Sequence, residues 1–184
     1  MRKVRRKRWF ALVLLGMVLL LFYRSNWLGR VIYPIEYREE IEQASAAEKV
    51  DPLLVAAVIR VESNFRADRM SPKGAVGIMQ VMPDTAQWMF ERERFRSYKL
   101  EDLQDPLKNI RVGTAYLSLL HQQFLHNQVI AVASYNAGPG NVNKWLSNDT
   151  WDGRLETVED IPFGETRKYV SKVMYYYKKY REVY

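Results

Sequence analysis

The chain has 184 residues, enough for one compact domain whose core needs no staple, and it contains no cysteine. Disulfides, thiolate zinc sites and a cysteine nucleophile are thereby excluded, although the absence leaves the compartment open. The net charge of +7 suggests a nucleic-acid or acidic-polymer binder, yet eight of the 28 basic residues lie in residues 1–30 and all 21 acidic residues follow them, so the rest of the chain is close to neutral.

The basic start, MRKVRRKR, is followed by an uncharged apolar run from Trp9 to Tyr23. This is the pattern of an export signal or a short membrane anchor with its charges held in the cytoplasm. Its 15 residues are short for a span of about 20, but Trp and Tyr at its ends suit the membrane interface and Arg24 can snorkel. With no small-x-small cleavage site and no lipidation cysteine just after it, an uncleaved anchor through residues 9–23 is the first expectation. A cleaved signal is the second and a buried core helix the third. The organisation expected is a basic N-terminus with anchor or signal over 1–30, a polar helix-prone connector over 31–44, and one catalytic domain over 45–184.

Asp51-Pro52 supplies an N-cap oxygen and a proline at the first helical position. The run LLVAAVIRV after it is apolar on every face, which predicts a central buried helix with Glu62 in its last turn. RADRMSPKGAVG reads as a loop, and after GIMQVMP a helix is expected to open at Asp84, with Gln87 completing a capping box. A third helix begins at Asp105-Pro106, with Ile110, Gly113, Leu117, Leu120 and Phe124 at helical spacing. A turn at His126-Asn127 leads into VIAVASYN, stopped by AGPG. Asn141–Leu146 should add one or two turns, and residues 147–160 a polar loop. The last helix lies in IPFGETRKYVSKVMYYYKKY, with Val170, Val173, Met174 and Tyr177 facing inward. No strand of convincing length is present, so the expected fold class is mainly α.

Glu62 is the first candidate for chemistry. Apolar neighbours, the negative end of the helix dipole and partial exclusion of solvent would all raise its pKa. A carboxylic acid protonated near neutral pH is what glycosidic cleavage requires, because the leaving oxygen must receive a proton. Taken alone, Glu62 reads better as a helix-end glutamate turned to water or paired with Arg60 or Arg66. In GAVGIMQVMP the glycines permit close backbone approach, and the Gln80 amide can donate to and accept from a sugar hydroxyl or acetamido group. Tyr135 and Asn136 end another apolar helix, where a phenol and an amide either orient an acid or serve as satisfied polar groups at a helix terminus. His121 and His126 lack metal-ligand spacing and read as solvated or capping residues, and Tyr175, Tyr176 and Tyr177 read as core plus snorkelling surface rather than a sugar platform. No metal or cofactor is expected, and no nucleic-acid motif accompanies the basic end.

In this order and at these separations, ES at 62–63, GIMQVMP at 77–83, SYN at 134–136 and IPFGETRKYV at 161–170 resemble the soluble lytic transglycosylase (SLT) family over about residues 45–180. Ile78 stands where leucine is usual, and Ser134 where alanine is usual. The resemblance implies a goose-lysozyme-like helical domain that cleaves peptidoglycan. It implies Glu62 as the single catalytic acid and base, Ser63 as the serine beside it, and Gln80 and Met82 as groove residues. Tyr135 would sit beside the acid with Asn136 as its neighbour, and Glu165 would be a carboxylate near the bound glycan. Most glycosidases need two carboxylates; in this family the substrate's acetamido group and C6 hydroxyl would replace the second, giving 1,6-anhydro-muramic acid ends. A hydrolytic muramidase of the same fold and a non-catalytic wall-binding domain are the alternatives. The expected partner is the peptidoglycan glycan strand, met by a domain outside a membrane that the anchor crosses once, or secreted after signal cleavage.

Overall fold

The computed structural model describes residues 9–10, 12–18 and 27–184. Residues 9–10 and 12–18 are helical and exposed; the rest of the expected anchor, through Tyr23, lies outside the described residues. Among the described residues, no helix is long and apolar enough to cross a membrane.

Two compact units are present. The described residues up to Ile35 and Lys179–Tyr184 form one. It contains α1 (Trp27–Ile32), and within it the Tyr184 hydroxyl donates to the Tyr33 carbonyl at 3.0 Å.

The second unit, Glu36–Lys178, is helical. Its elements are α2 (Arg38–Glu48), α3 (Pro52–Glu62), α4 (Pro83–Phe90), α5 (Pro106–Gln123), α6 (Gln128–Ala137), α7 (Pro139–Ser147) and α8 (Gly164–Val183), the last of which continues beyond it. The expected connector is not uniform. It contains most of α2, which packs on α3 and α5 with Ile41 and Ala44 buried. Between α3 and α4 the chain makes two isolated bridges, Met70 with Val76 and Val76 with Val81.

The helix starts follow from local chemistry. Asp51 Oδ1 accepts from the Leu53 N–H at 2.9 Å, Asp105 Oδ1 from those of Leu107 and Lys108, and Asn127 Oδ1 from those of Val129 and Ile130. Each satisfies amides that lack intrahelical partners. The capping box at Asp84 does not form. Pro83, whose fixed φ suits the first helical position, starts α4 one residue earlier with Met82 as an N-cap that makes no side-chain bond. Asp84 therefore lies inside the first turn. Gly138, at φ 80, ends α6, and Pro139 opens an α7 longer than expected. On α8, Val170, Val173 and Tyr177 are buried, whereas Met174 is only half-buried.

The core is centred on α3, whose Val55, Ala56, Ala57, Val58 and Ile59 are fully enclosed. At about 25 cal/mol per Å² of apolar surface, this burial is the main force holding the helix in place. Helix α8 is tied across it: the Tyr177 hydroxyl donates to Asp51 Oδ2 at 2.7 Å. His121 and His126, read from the sequence as solvated or capping residues, face each other at the end of α5 with Nδ1 atoms 3.2 Å apart.

Candidate active site

Helix α3 stops at Glu62 because the next turn is left-handed, with Asn64 at φ 57 and Phe65 at φ 62. Phe65 is buried, and the apolar area it removes from water offsets the cost of that backbone. Glu62 is thereby fixed at the C-terminal end of a rigid helix, facing a cleft of about 430 Å³. Burial is the main cause that raises its carboxyl from 4.5 to about 7. The Tyr169 hydroxyl and the Arg69 guanidinium pull the value down, and the charge of Glu165 pushes it up slightly.

Ser63 does not line the cleft. It is fully buried, and its Oγ donates to the Ile78 carbonyl at 2.7 Å, fastening the end of α3 to the GIMQ turn. That turn is pinned from the other side by Asn109 of α5, which sequence reasoning missed. Its Oδ1 accepts from the Met79 N–H, and its Nδ2 donates to the carbonyls of Val76 and Leu103, each at 2.9 Å. The signal available was an amide on the apolar face of α5 next to Ile110. Gly77 has φ 77, and a Cβ there would lie 2.6 Å from the Leu103 carbonyl oxygen and collide with the Asn109 amide. The glycine is required both by its backbone and by the closeness of α5.

Gln80 lines the cleft but cannot donate to a ligand. Both amide hydrogens are taken, by the carbonyls of Arg69 at 2.9 Å and Gly77 at 2.8 Å, which leaves Oε1 as an acceptor. Its φ is 49, and the two bonds hold it there. Tyr135 lines the same cleft, and its hydroxyl donates to the Met79 carbonyl at 2.9 Å. Asn136 Oδ1 accepts from Thr166 Oγ1 at 2.7 Å, so its amide N–H groups remain for a ligand. Met82 is 39 % exposed at the rim. Glu165 is exposed, and Lys73 Nζ lies 3.1 Å from its Oε2.

Tyr169, one turn along α8 from Glu165, was also missed, although IPFGETRKYV contains it. Its hydroxyl is buried and makes no hydrogen bond of ordinary geometry. Burial, then the Glu62 charge, push the phenols of Tyr169 and Tyr135 far above their usual range, so both stay neutral. Among the described residues lining the cleft, Glu62 and Glu165 are the carboxylates; Glu62 is half-buried and Glu165 exposed. The arrangement can deliver one proton from a carboxyl poised at neutral pH and then take one back. No group of three or more metal-binding side chains occurs among the described residues.

The transglycosylase SLT domain model matches residues 39–157. The soluble lytic murein transglycosylase of Escherichia coli is 38% identical over 153 residues, which are 81% of this chain and 23% of that protein. The crystal structure of the 70 kDa soluble lytic transglycosylase from Escherichia coli superimposes with a TM-score of 0.78 at 36% identity, covering 84% of this chain and 25% of that one. Membrane-bound lytic murein transglycosylase C of Edwardsiella ictaluri is 29% identical over 80% of this chain and 47% of its own length. The chain thus spans about a quarter of the Escherichia coli proteins it matches and about half of the Edwardsiella one.

Proposed function

This chain belongs to the transglycosylase SLT domain family, and on that premise we propose that it is a peptidoglycan lytic transglycosylase. The reading rests on Glu62, a half-buried carboxyl with a pKa of about 7 in the lining of a cleft. At neutral pH a large fraction is protonated and able to protonate the glycosidic oxygen between N-acetylmuramic acid and N-acetylglucosamine. As that bond breaks, the acetamido group stabilises the sugar cation. The Glu62 carboxylate, now the base, removes the proton of the C6 hydroxyl while its oxygen bonds to C1, closing a 1,6-anhydro ring. Glu62 ends protonated as it began, and no water is consumed. Tyr169 and Arg69 keep the pKa from rising further, so the group can serve in both directions.

Gln80 Oε1 and the Asn136 amide supply an acceptor and a donor toward the sugar, and Met82 an apolar rim. Ser63 acts through the backbone it holds rather than by touching substrate. The Trp9–Tyr23 run is read as a membrane anchor with the basic N-terminus in the cytoplasm and the catalytic domain outside. This rests on the charge asymmetry of the sequence, and a relative is named as membrane-bound.

The test of the activity is digestion of purified peptidoglycan by the full chain in detergent, with mass analysis of the muropeptides. Products lighter by one water than hydrolytic ones, and inert to borohydride, are expected. Predominantly reducible ends would make the protein a muramidase, and an undigested wall would leave a binding domain. Membrane fractionation tests the anchor, and recovery of a soluble mature chain beginning after Tyr23 would replace it with a cleaved signal.

A further inference from the structure

Helix α1 turns its apolar side outward. At about 100° per residue, Trp27, Val31, Leu28 and Ile32 follow one another around an arc of roughly 140°, and Gly29 and Arg30 occupy the rest of the helix. In that order the four arc residues are 53, 57, 62 and 54 % exposed. The other side of α1 meets the C-terminal end of the chain. A Cβ on Gly29 would lie 2.8 Å from Val183 Cγ2, the Arg30 guanidinium lies over the Tyr184 ring at 5.4 Å, and the Tyr184 hydroxyl donates to the Tyr33 carbonyl. The glycine and the cation thus face protein while the apolar arc is left out, the reverse of what folding in water selects for a surface helix.

Chain connectivity limits what can meet this arc. Only Arg24, Ser25 and Asn26 separate Tyr23, the last residue of the apolar run, from Trp27. The four steps between them reach at most about 14 Å, and the polar layer on one side of a bilayer is itself roughly 5–8 Å deep. With the run in the membrane, α1 stays at the bilayer surface. Its composition suits that place. Trp27, Tyr33 and Tyr184 are of the types enriched at membrane interfaces, and no acidic side chain precedes Glu36. Glu182, near the C-terminal end that meets α1, is paired with Lys179 at 2.8 Å, so anionic headgroups are not opposed by an uncompensated carboxylate side chain there.

We propose that Trp27, Leu28, Val31 and Ile32 insert into the interfacial layer of the bilayer, so that α1 lies in the membrane plane as a second contact beside the Trp9–Tyr23 anchor. The inference rests on the anchor reading and adds to it. An anchor alone lets the chain swivel about its point of exit, whereas an in-plane helix fixes which side of α1, and of the Lys179–Tyr184 end in the same unit, faces lipid.

The chain contains no cysteine, so single cysteines report position without background. Leu15→Cys, Leu28→Cys, Val31→Cys, Ile32→Cys and, as an aqueous reference, Ser147→Cys are spin-labelled in the full chain and reconstituted into vesicles of phosphatidylethanolamine and phosphatidylglycerol. Collision with oxygen, which concentrates in lipid, is compared with collision with a water-soluble nickel chelate. Labels at Leu28, Val31 and Ile32 should favour oxygen severalfold more than the Ser147 label does, at a shallower depth than the Leu15 label. All five side chains are exposed, and melting curves beside the parent establish that the variants are folded. A Leu15 label in lipid, with the three α1 labels as open to nickel as Ser147, overturns the in-plane contact and leaves the anchor standing. Three α1 labels shielded from both reagents and broadened by neighbouring spins put a second copy of the chain on the arc, which also overturns it. A Leu15 label open to nickel removes the anchor reading itself, and the in-plane contact with it.

Discussion

The Tyr135 hydroxyl donates its proton to the backbone carbonyl of Met79 at 2.9 Å, across 56 residues of sequence. It therefore braces the GIMQ turn against the end of α6 and keeps only a lone pair for other neighbours. Its ring lies 5.5 Å from that of Tyr116, so the phenol is held at both ends.

Tyr135→Phe leaves the Met79 carbonyl without that donor while preserving the ring. Unfolding free energy should fall by about 1–3 kcal/mol, the usual cost of an orphaned buried polar group. Displacement of the turn relative to Glu62 should lower kcat on the order of 10-fold to 100-fold. Chemical denaturation and muropeptide release measure the two effects separately. A variant as active and as stable as the parent would show that the turn does not depend on this brace.

Glu62→Gln should abolish most turnover, by at least the ~10²–10⁴-fold of one acid–base group. In the parent, activity should decline as pH rises through about 7, where the acid is lost. Stability runs the other way for the variant. With a folded pKa of about 7 against 4.5, the protonated carboxyl's contribution is fully present below 4.5 and is lost as pH rises through 7. At ~1.4 kcal/mol per unit the loss is roughly 3 kcal/mol at most, because the group is partly solvated. The amide is neutral throughout, so melts at about pH 4, 6 and 8 should show the variant gaining on the parent across this window. Retained wall clearing would refute the catalytic role.

Ser63→Ala tests a fastening rather than a contact with sugar. Ser63 is fully buried and its Oγ bonds to the Ile78 carbonyl at 2.7 Å; alanine fills nearly the same space and leaves the carbonyl without that donor. A loss of about 1–3 kcal/mol is expected, with the pH profile of the remaining activity unchanged. A shifted profile would instead tie Ser63 to the acid itself.

Gln80→Glu probes the two bonds from the Gln80 amide to the carbonyls of Arg69 and Gly77. A carboxylate there faces two acceptors with no proton to give, which should cost about 2 kcal/mol or more at neutral pH. Repulsion raises the new carboxyl's folded pKa, so its stability is retained at low pH, where the acid regains one donor, and is lost as pH rises. Melts over the same pH series should show a deficit that grows with pH. A deficit that stays flat would mean that the carbonyls are not what Gln80 serves.

The sequence by itself determined most of the helices, because their starts depend on atoms two or three residues apart. Asp51-Pro52, Asp105-Pro106 and Asn127 cap and pre-bend the backbone wherever the rest of the chain goes. It failed at Asp84, where the local competition between Pro83 and Asp84 favoured the proline. It also marked Glu62, because a carboxylate closing an apolar helix is costly in any fold that buries that helix. What each polar group does with its hydrogens was decided only by tertiary structure. Ser63, Gln80 and Tyr135 carry groups able to meet a sugar, yet their hydrogens are directed to the backbone carbonyls of Ile78, Arg69, Gly77 and Met79. Asn109 and Tyr169 went unnoticed because their importance lies in what surrounds them. Tyr169 meets Glu62 from more than a hundred residues away. The pKa of Glu62 belongs to the same class, since desolvation is the sum of everything packed around a carboxyl, and that sum exists only once α3, α6 and α8 have closed around it.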